Sequence, residues 1–409
     1  MTFPAKTIYN LEDIAGKKAL VRVDFNVPLD EDKKVSDDTR LRAALPTIKY
    51  LLEQGAIPVL MSHLGRPGGE VDEDLRLAPV VEPLRELLGG IKVKAATDTV
   101  GDSAKQMVDS LETGEVGLLE NLRFNPGEKA CDSEFSRKLA AFGDFYVSDA
   151  FGTAHRAHAS MTGVPEFLRP AVAGDLLTNE YKVLSEVRDN PDRPFVVLLG
   201  GAKVSDKLAV IERFLQHADK VLIGGAMAYT FGLARGEDVG DSLVEPDFVE
   251  EARRLLDNRD SYNGELVLPL DTVIVSSDDV NSETQTVPAG EIPDGWEGMD
   301  IGPETCKLFA SELSESAMVF WNGPMGVFEM EQFASGTNHL AETLAEIDGK
   351  VVVGGGDSVS AVNKAGVQDK FYHISTGGGA SLALVRGEEL PGIAALDKRD
   401  KIIDNIDIG

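Results

Sequence analysis

The sequence predicts an α/β fold: two doubly wound, parallel-sheet (Rossmann-like) lobes joined by a helix and hinge. Three observations predict it. Strand-length apolar runs recur along all 409 residues, with amphipathic helical stretches between them. Most of these runs are continuous, which suits parallel strands covered on both faces. The chain also exceeds the usual size of a single hydrophobic core, so two domains are expected.

In the first half the strand candidates are Ala19–Val23, Ile57–Met61, Gly117–Asn121 and Phe145–Asp149. In the second they are Phe195–Leu199, Lys220–Gly224, Glu265–Pro269, Ala317–Trp321 and Lys350–Gly354. Gly163-Val-Pro-Glu-Phe-Leu-Arg-Pro170 reads as the boundary, which gives a first lobe over 1–171. A connecting helix over 172–189 follows, centred on Asp175–Val187. It must stop at Asp189-Asn-Pro-Asp-Arg-Pro194, because proline cannot continue a helix. Neither an internal repeat nor a low-complexity segment interrupts this order. In such sheets ligands bind beyond the carboxyl ends of the strands.

Hydrophobic residues make up 43% of the chain and charged residues 27%, the profile of a soluble globular protein. No stretch approaches 18 uninterrupted apolar residues, so no membrane helix is expected. The opening Met-Thr-Phe-Pro-Ala-Lys-Thr lacks a signal-peptide core. Cys131 and Cys306 are too few for a disulfide framework, which together with that opening predicts a cytoplasmic protein. Two cysteines and six scattered histidines also argue against structural zinc. The net charge is −29, and most of it lies late in the chain. Residues 1–170 carry 21 Lys and Arg against 27 Asp and Glu; residues 171–409 carry 19 against 42. Such acidity argues against nucleic acid, which binds basic surface. It suits a solvated, halophilic surface.

Against that acidic background, basic side chains of the first half keep appearing just after a strand. Arg22-Val-Asp-Phe-Asn-Val-Pro28 follows the first strand, and Arg40 lies in the connection after it. Ser62-His-Leu-Gly-Arg-Pro67, Asn121-Leu-Arg-Phe124 and Ser148-Asp-Ala-Phe-Gly-Thr-Ala-His-Arg-Ala-His158 follow later ones. Arg40, His63, Arg66, Arg123, His155, Arg156 and Arg169 can therefore converge on one anion, since arginine's planar fork suits phosphate and carboxylate oxygens. Any one of them alone reads as a solvated surface charge or a structural histidine. Asp24 and Asn26 offer acceptors for ligand hydroxyls, or an Asx turn before Pro28.

The second half supplies glycines instead. Gly200-Gly-Ala-Lys-Val-Ser-Asp-Lys207 follows a buried strand and leads into the amphipathic stretch Lys207–Leu215. Glycines let backbone amides approach an anion, and a helix N-terminus favours one. If the turn is already helical, Lys203 and Lys207 share a face. The same pattern also describes an ordinary strand-to-helix turn with two solvated lysines. Further glycine loops are Ile223-Gly-Gly-Ala-Met227, Asn322-Gly-Pro-Met-Gly-Val-Phe-Glu329, Gly354-Gly-Gly-Asp-Ser358 and Thr376-Gly-Gly-Gly-Ala380. Asp357 is either a helix N-cap or a ligand for Mg²⁺ beside a polyphosphate. Glu329 can accept from ribose hydroxyls. No Gly-x-x-x-x-Gly-Lys-[Ser/Thr] string occurs, and no complete Gly-x-Gly-x-x-Gly opens the first strand–helix unit, which weighs against P-loop proteins and dehydrogenases.

In order along the chain, Arg22–Pro28, Ser62–Pro67, Asn121–Phe124, Asp149–His158, Gly200–Lys203, Trp321–Pro324, Gly354–Asp357 and Ser375–Ala380 together resemble the phosphoglycerate kinase family. The resemblance implies a glycolytic and gluconeogenic enzyme, usually monomeric, that moves a phosphoryl group between ATP and the carboxylate of 3-phosphoglycerate. It implies that Asp24, Asn26, Arg40, His63, Arg66, Arg123 and Arg156 bind phosphoglycerate, with His63, Arg66, Arg123 and Arg156 cradling its phosphate and Arg40 meeting its carboxyl oxygens. A second lobe over 190–392 would take Mg-nucleotide through Gly201, Ala202, Lys203, Lys207, Gly225, Asn322, Glu329, Gly355, Gly356, Asp357 and Ser358. Lobe closure would then join the substrates. Arg40, Lys203 and Gly356 would act on the moving phosphoryl group, Lys207 would hold nucleotide phosphate, and Asp357 would bind Mg²⁺. Residues 393–409 would return to the first lobe. Ala226 stands where many relatives carry a third glycine, which bears on the fit of the base, and Ser358 replaces a common threonine. The other reading is a catalytically silent nucleotide-binding relative.

Overall fold

A computed structural model describes residues 3–398. The chain forms two compact units. One runs to Val183 and takes back the chain from Glu388; the other is Leu184–Gly387.

The first unit is built on β1 (Lys18–Val23), β2 (Ile57–Met61), β3 (Val93–Ala95), β4 (Val116–Leu118), β5 (Phe145–Asp149) and β6 (Ala171–Ala173). They form one parallel sheet in the order β3-β4-β2-β1-β5-β6. β1, β2 and β5 are continuous runs buried along nearly their whole length, as double coverage requires. The helix Thr39–Glu53 shows Leu41, Ala44, Ile48 and Leu51 at three- and four-residue spacing, and these pack with Val21, Val23, Leu60 and Val147 of the sheet. In register, Arg22 lies level with Met61 and with Ser148, so the loops after β1, β2 and β5 leave the sheet side by side.

The first sheet continues past the boundary read at 163–170. Within that stretch the helix Val164–Phe167 packs on the helix Ser133–Ala140, and β6 then pairs with β5. A three-residue strand of alanine and valine just after Pro170 carries too little pattern to be read from sequence. The connecting helix is Asp175–Asp189, two residues longer than Asp175–Val187, and the division between the units falls inside it. Of the returning segment 393–409, residues up to Lys398 pack on the first unit, and 399–409 lie outside the described residues. Gly392 donates to Ala154 O, Asp397 exchanges backbone hydrogen bonds with Lys6 and Ala171, and Lys398 bridges Ala5.

The second unit repeats the design with β7 (Phe195–Leu199), β8 (Lys220–Ile223), β9 (Asp238–Val239), β10 (Glu265–Val267), β11 (Asp271–Ser276), β12 (Gln285–Pro288), β13 (Glu291–Ile292), β14 (Trp296–Ile301), β15 (Met318–Asn322), β16 (Lys350–Gly354) and β17 (His373–Ile374). Six of these make a parallel sheet in the order β10-β8-β7-β15-β16-β17. Leu199, Asn322 and Gly354 are level, so the glycine loops emerge together. Leu198, Val319, Trp321 and Val353 pack against Phe309, Leu313, Leu340 and Leu344. An antiparallel sheet, β12-β11-β14, and a small pair, β13-β9, are additions that the parallel pattern does not predict. Among the described residues no helix is long and apolar enough to cross a membrane.

Candidate functional site

The first unit gathers its polar residues at the carboxyl ends of β1, β2, β4 and β5. Asp24, just past β1, accepts from Arg40 at 2.9 Å, and Arg40 comes from the first turn of the helix Thr39–Glu53. Asn26 Oδ1 accepts from Gly65 N at 2.8 Å, and Arg123 donates to Gly65 O at 2.6 Å. The loops after β1, β2 and β4 are thus tied at one residue. Asn121 fastens the same loops: its Oδ1 accepts from Leu64 N and Arg123 N, and its Nδ2 donates to Leu64 O and Leu75 O. Arg156 follows β5 and donates through Nε to His155 Nε2 at 3.2 Å.

Charge is unbalanced here. Arg66, Arg123 and Arg156 have no carboxylate partner among the described residues, in a chain with 69 acidic residues. Burial, then the like charges of Arg156 and Arg22, pulls Arg123 down to about 10, still cationic at neutral pH. Arg123 Nε is buried without a hydrogen-bond partner among the described residues. Burial alone would raise the Asp24 carboxyl, but Arg40 foremost, with Arg22 and the Asn26 amide, holds it below its ordinary value. Burial pushes His63 well below the ordinary imidazole value against the pull of Asp24, and Arg22, Arg123 and Arg40 lower it further. Burial and the neighbouring Arg123 and Arg156 likewise lower His158 to about 4. Uncompensated cations gathered among polar side chains make a candidate anion site.

The structure therefore brings together Asp24, Asn26, Arg40, His63, Arg123 and Arg156, with the exposed Arg66 beside Gly65. Arg169 does not join them. It precedes β6, at the amino end of the sheet, and pairs with Asp397. Arg22 is a participant that sequence reasoning missed: it is 1% exposed and lies against His63. Its place inside an apolar strand signals a buried cation with a purpose.

In the second unit Gly201, Ala202, Lys203, Lys207, Asn322, Gly355, Gly356, Asp357 and Ser358 line one cavity of about 420 Å³. Asp206, Gly323, Pro324, Gly378 and Gly379, from the same glycine loops, line it too, as does Leu382, which no sequence motif marked. Close backbone approach explains two of the glycines. A Cβ on Gly200 would lie 2.0 Å from Pro324 O, and one on Gly225 would lie 2.5 Å from Gly201 N, at a φ of +68°. Gly225 lines a separate, narrow cavity with Tyr229 and Met325, while exposed Glu329 lines neither. Gly356 opens the helix Gly356–Ala365 and faces empty space, and Asp357 in its first turn is exposed, with no hydrogen-bond donor among the described residues.

Lys203 and Lys207 do not share a helix face. The helix begins only at Leu208, so both lysines lie in the turn before it, although both line the cavity. Lys203 is exposed, whereas Lys207 is 9% exposed and donates at 2.7 Å to Gly200 O, Asn322 O and Asn322 Oδ1. All three ammonium protons are thus shared with protein oxygens that join the ends of β7 and β15. Burial pulls Lys207 down to about 7, opposed by Asp357 and Asp206. Ser358 Oγ accepts from Gly323 N at 2.6 Å, which fixes the loop after β15 to the helix after β16.

The phosphoglycerate kinase family model matches residues 8–388. A phosphoglycerate kinase of Gloeothece citriformis is 53% identical over 400 residues, covering 97% of this chain and 100% of that one. One from Roseiflexus castenholzii is 53% identical over 393 residues, covering 96% and 99%. Among solved structures, phosphoglycerate kinase from Coxiella burnetii aligns with a TM-score of 0.83 at 34% identity, over 96% of this chain and 98% of that one. The Pyrococcus horikoshii enzyme also aligns with a TM-score of 0.83, at 35% identity over the same shares. With a family model matched over residues 8–388 and relatives and solved structures aligned over nearly its whole length, this chain belongs to the phosphoglycerate kinase family.

Proposed function

We propose that the chain catalyses reversible transfer of the ATP γ-phosphoryl group to the carboxylate of 3-phosphoglycerate, giving 1,3-bisphosphoglycerate and ADP. The observation that carries this reading is the set Arg66, Arg123 and Arg156, without a carboxylate partner among the described residues, with neutral His63 beside Arg123. In the proposed complex these four residues cradle the 3-phosphate, Asp24 and Asn26 accept from the ligand's hydroxyl, and Arg40 meets its carboxyl oxygens. In the second unit Gly201, Ala202 and Gly225 let the nucleotide approach the backbone, with Asn322, Gly355, Gly356 and Ser358 around its phosphates. Glu329 takes the ribose. Lys207 reaches a phosphate by giving up one of its three internal acceptors, and Lys203, without a partner among the described residues, follows the moving group. The catalytically silent alternative is not supported.

The residues fit Mg²⁺. Among the described residues no group of three His, Cys, Asp or Glu could hold a metal, so a cation at Asp357 would draw its other ligands from phosphate and water. That is the usual manner of Mg²⁺, which would neutralise nucleotide charge. No general base is required, because the attacking carboxylate is already ionised; the protein supplies position and positive charge. We further propose a halophilic, cytoplasmic enzyme, on the strength of the −29 charge and the cysteine content, and a monomer, as the family resemblance implies. A coupled assay tests the central claim. ATP-dependent consumption of 3-phosphoglycerate is expected, and its absence at every salt concentration overturns the reading.

A further inference from the structure

We propose that Arg22 is a positioning residue that fixes His63 in its Nε2–H tautomer, so that the ring offers a neutral N–H to the bound phosphate. This rests on the proposed phosphoglycerate site of the first unit. Arg22 Nη2 lies 3.1 Å from His63 Nδ1. A guanidinium has donors and no acceptor, so Nδ1 must be bare and the ring's one proton must sit on Nε2. The competitor for Nδ1 is Asp24 Oδ1, which would favour an Nδ1–H, but it stands 3.7 Å away. Nε2 has no hydrogen-bond partner among the described residues, so its proton is available to a ligand.

Arg22 is itself held rigidly. Its Nε donates to Ser160 Oγ at 2.9 Å, and its Nη1 donates to Val23 O. Ser160 Oγ donates to Glu128 Oε1 at 2.6 Å, and Ser160 N donates to Glu128 Oε2 at 2.9 Å. Glu128 is fully buried, so one internal carboxylate sits behind the arginine through the serine hydroxyl. The chain Glu128–Ser160–Arg22–His63 thus runs from the packed interior to the anion site, which suits its last member to an orientational task. The charged groups around His63 are Asp24, Arg22, Arg123 and Arg40. Among three arginines a second kind of cation would be crowded by repulsion, whereas a neutral donor adds a hydrogen bond without adding charge.

The test is ¹⁵N NMR of the labelled full-length protein, with the His63 signals assigned by their loss in His63→Gln. The wild type should show a neutral ring protonated on Nε2 at pH 7. Arg22→Met should shift the population toward Nδ1–H, facing Asp24, and raise KM for 3-phosphoglycerate about tenfold, the worth of one hydrogen bond to a charged acceptor, with kcat within about twofold. Arg22→Lys should restore part of both. Ser160→Ala, which leaves Arg22 in place but loosens it, should give a smaller shift of the same sign and serves if Arg22→Met does not fold. An Nδ1–H ring in the wild type, or a tautomer unmoved in both Arg22→Met and Ser160→Ala, overturns the proposal. The ring's tautomer is read without substrate, so failure to bind 3-phosphoglycerate would defeat the site assignment separately.

Discussion

Two lysines four residues apart illustrate how far a side chain's surroundings decide its work. Lys203 is exposed and has no partner among the described residues, while Lys207 is buried among three oxygens. Lys203→Ala should lower kcat by about 10²–10³-fold, as loss of one transition-state donor does, with ATP affinity and Tm unchanged. Equal loss of affinity and rate would make it a ground-state contact instead. Lys207→Met leaves Gly200 O and Asn322 Oδ1 without their donor, while Asn322 O keeps the Gly200 amide, and should cost about 2 kcal/mol of stability, read by urea unfolding. Arg156 works the other way. Its charge opposes that of Arg123, so Arg156→Met should raise Tm of the ligand-free protein by about 2 °C while KM for 3-phosphoglycerate rises steeply. A lower Tm would mean that its bond to His155 outweighs the repulsion.

The strands with continuous apolar runs, β1, β2, β5, β7, β8, β15 and β16, are legible in the sequence because burial on both faces leaves no polar alternative. β3, β6 and β17 are not, since two or three residues at a sheet edge carry no period. The antiparallel β11, β12 and β14 escape for another reason: they lie outside the parallel sheet, and Gln285–Pro288 is mostly exposed. The same logic governs the site. Arg123 and Arg156 stand out as cations after strands, but Ser160 and Glu128 hold Arg22 from a separate segment, and such contacts leave no local trace. Strand β5 ends in a further buried group with a consequence. Burial raises Asp149 to about 7, although the Thr47 hydroxyl and the Leu177 amide oppose it. Its folded value exceeds its unfolded one, so its contribution to stability is full below about pH 4 and is lost as pH rises through 7. Asp149→Asn should therefore gain stability relative to wild type between pH 5 and pH 8. A difference independent of pH would show that Asp149 is ionised in the folded chain.

For the molecule as a whole, a net charge of −29 predicts self-repulsion that salt relieves by screening. Tm should rise between millimolar and molar KCl, and an unchanged Tm would mean that the acidity is not self-repulsive. The first unit is also discontinuous, closed by residues from Glu388 onward. Gly392 packs on Ala154, two residues before Arg156, so closely that a Cβ there would lie 3.1 Å from the Ala154 Cα. During synthesis, then, a ribosome must translate the whole second unit before it can supply the brace against the loop that carries Arg156. The part of the chain made earliest is finished last, and a nascent chain stalled at Gly387 would carry every arginine of the anion site without the support that holds its last loop in place.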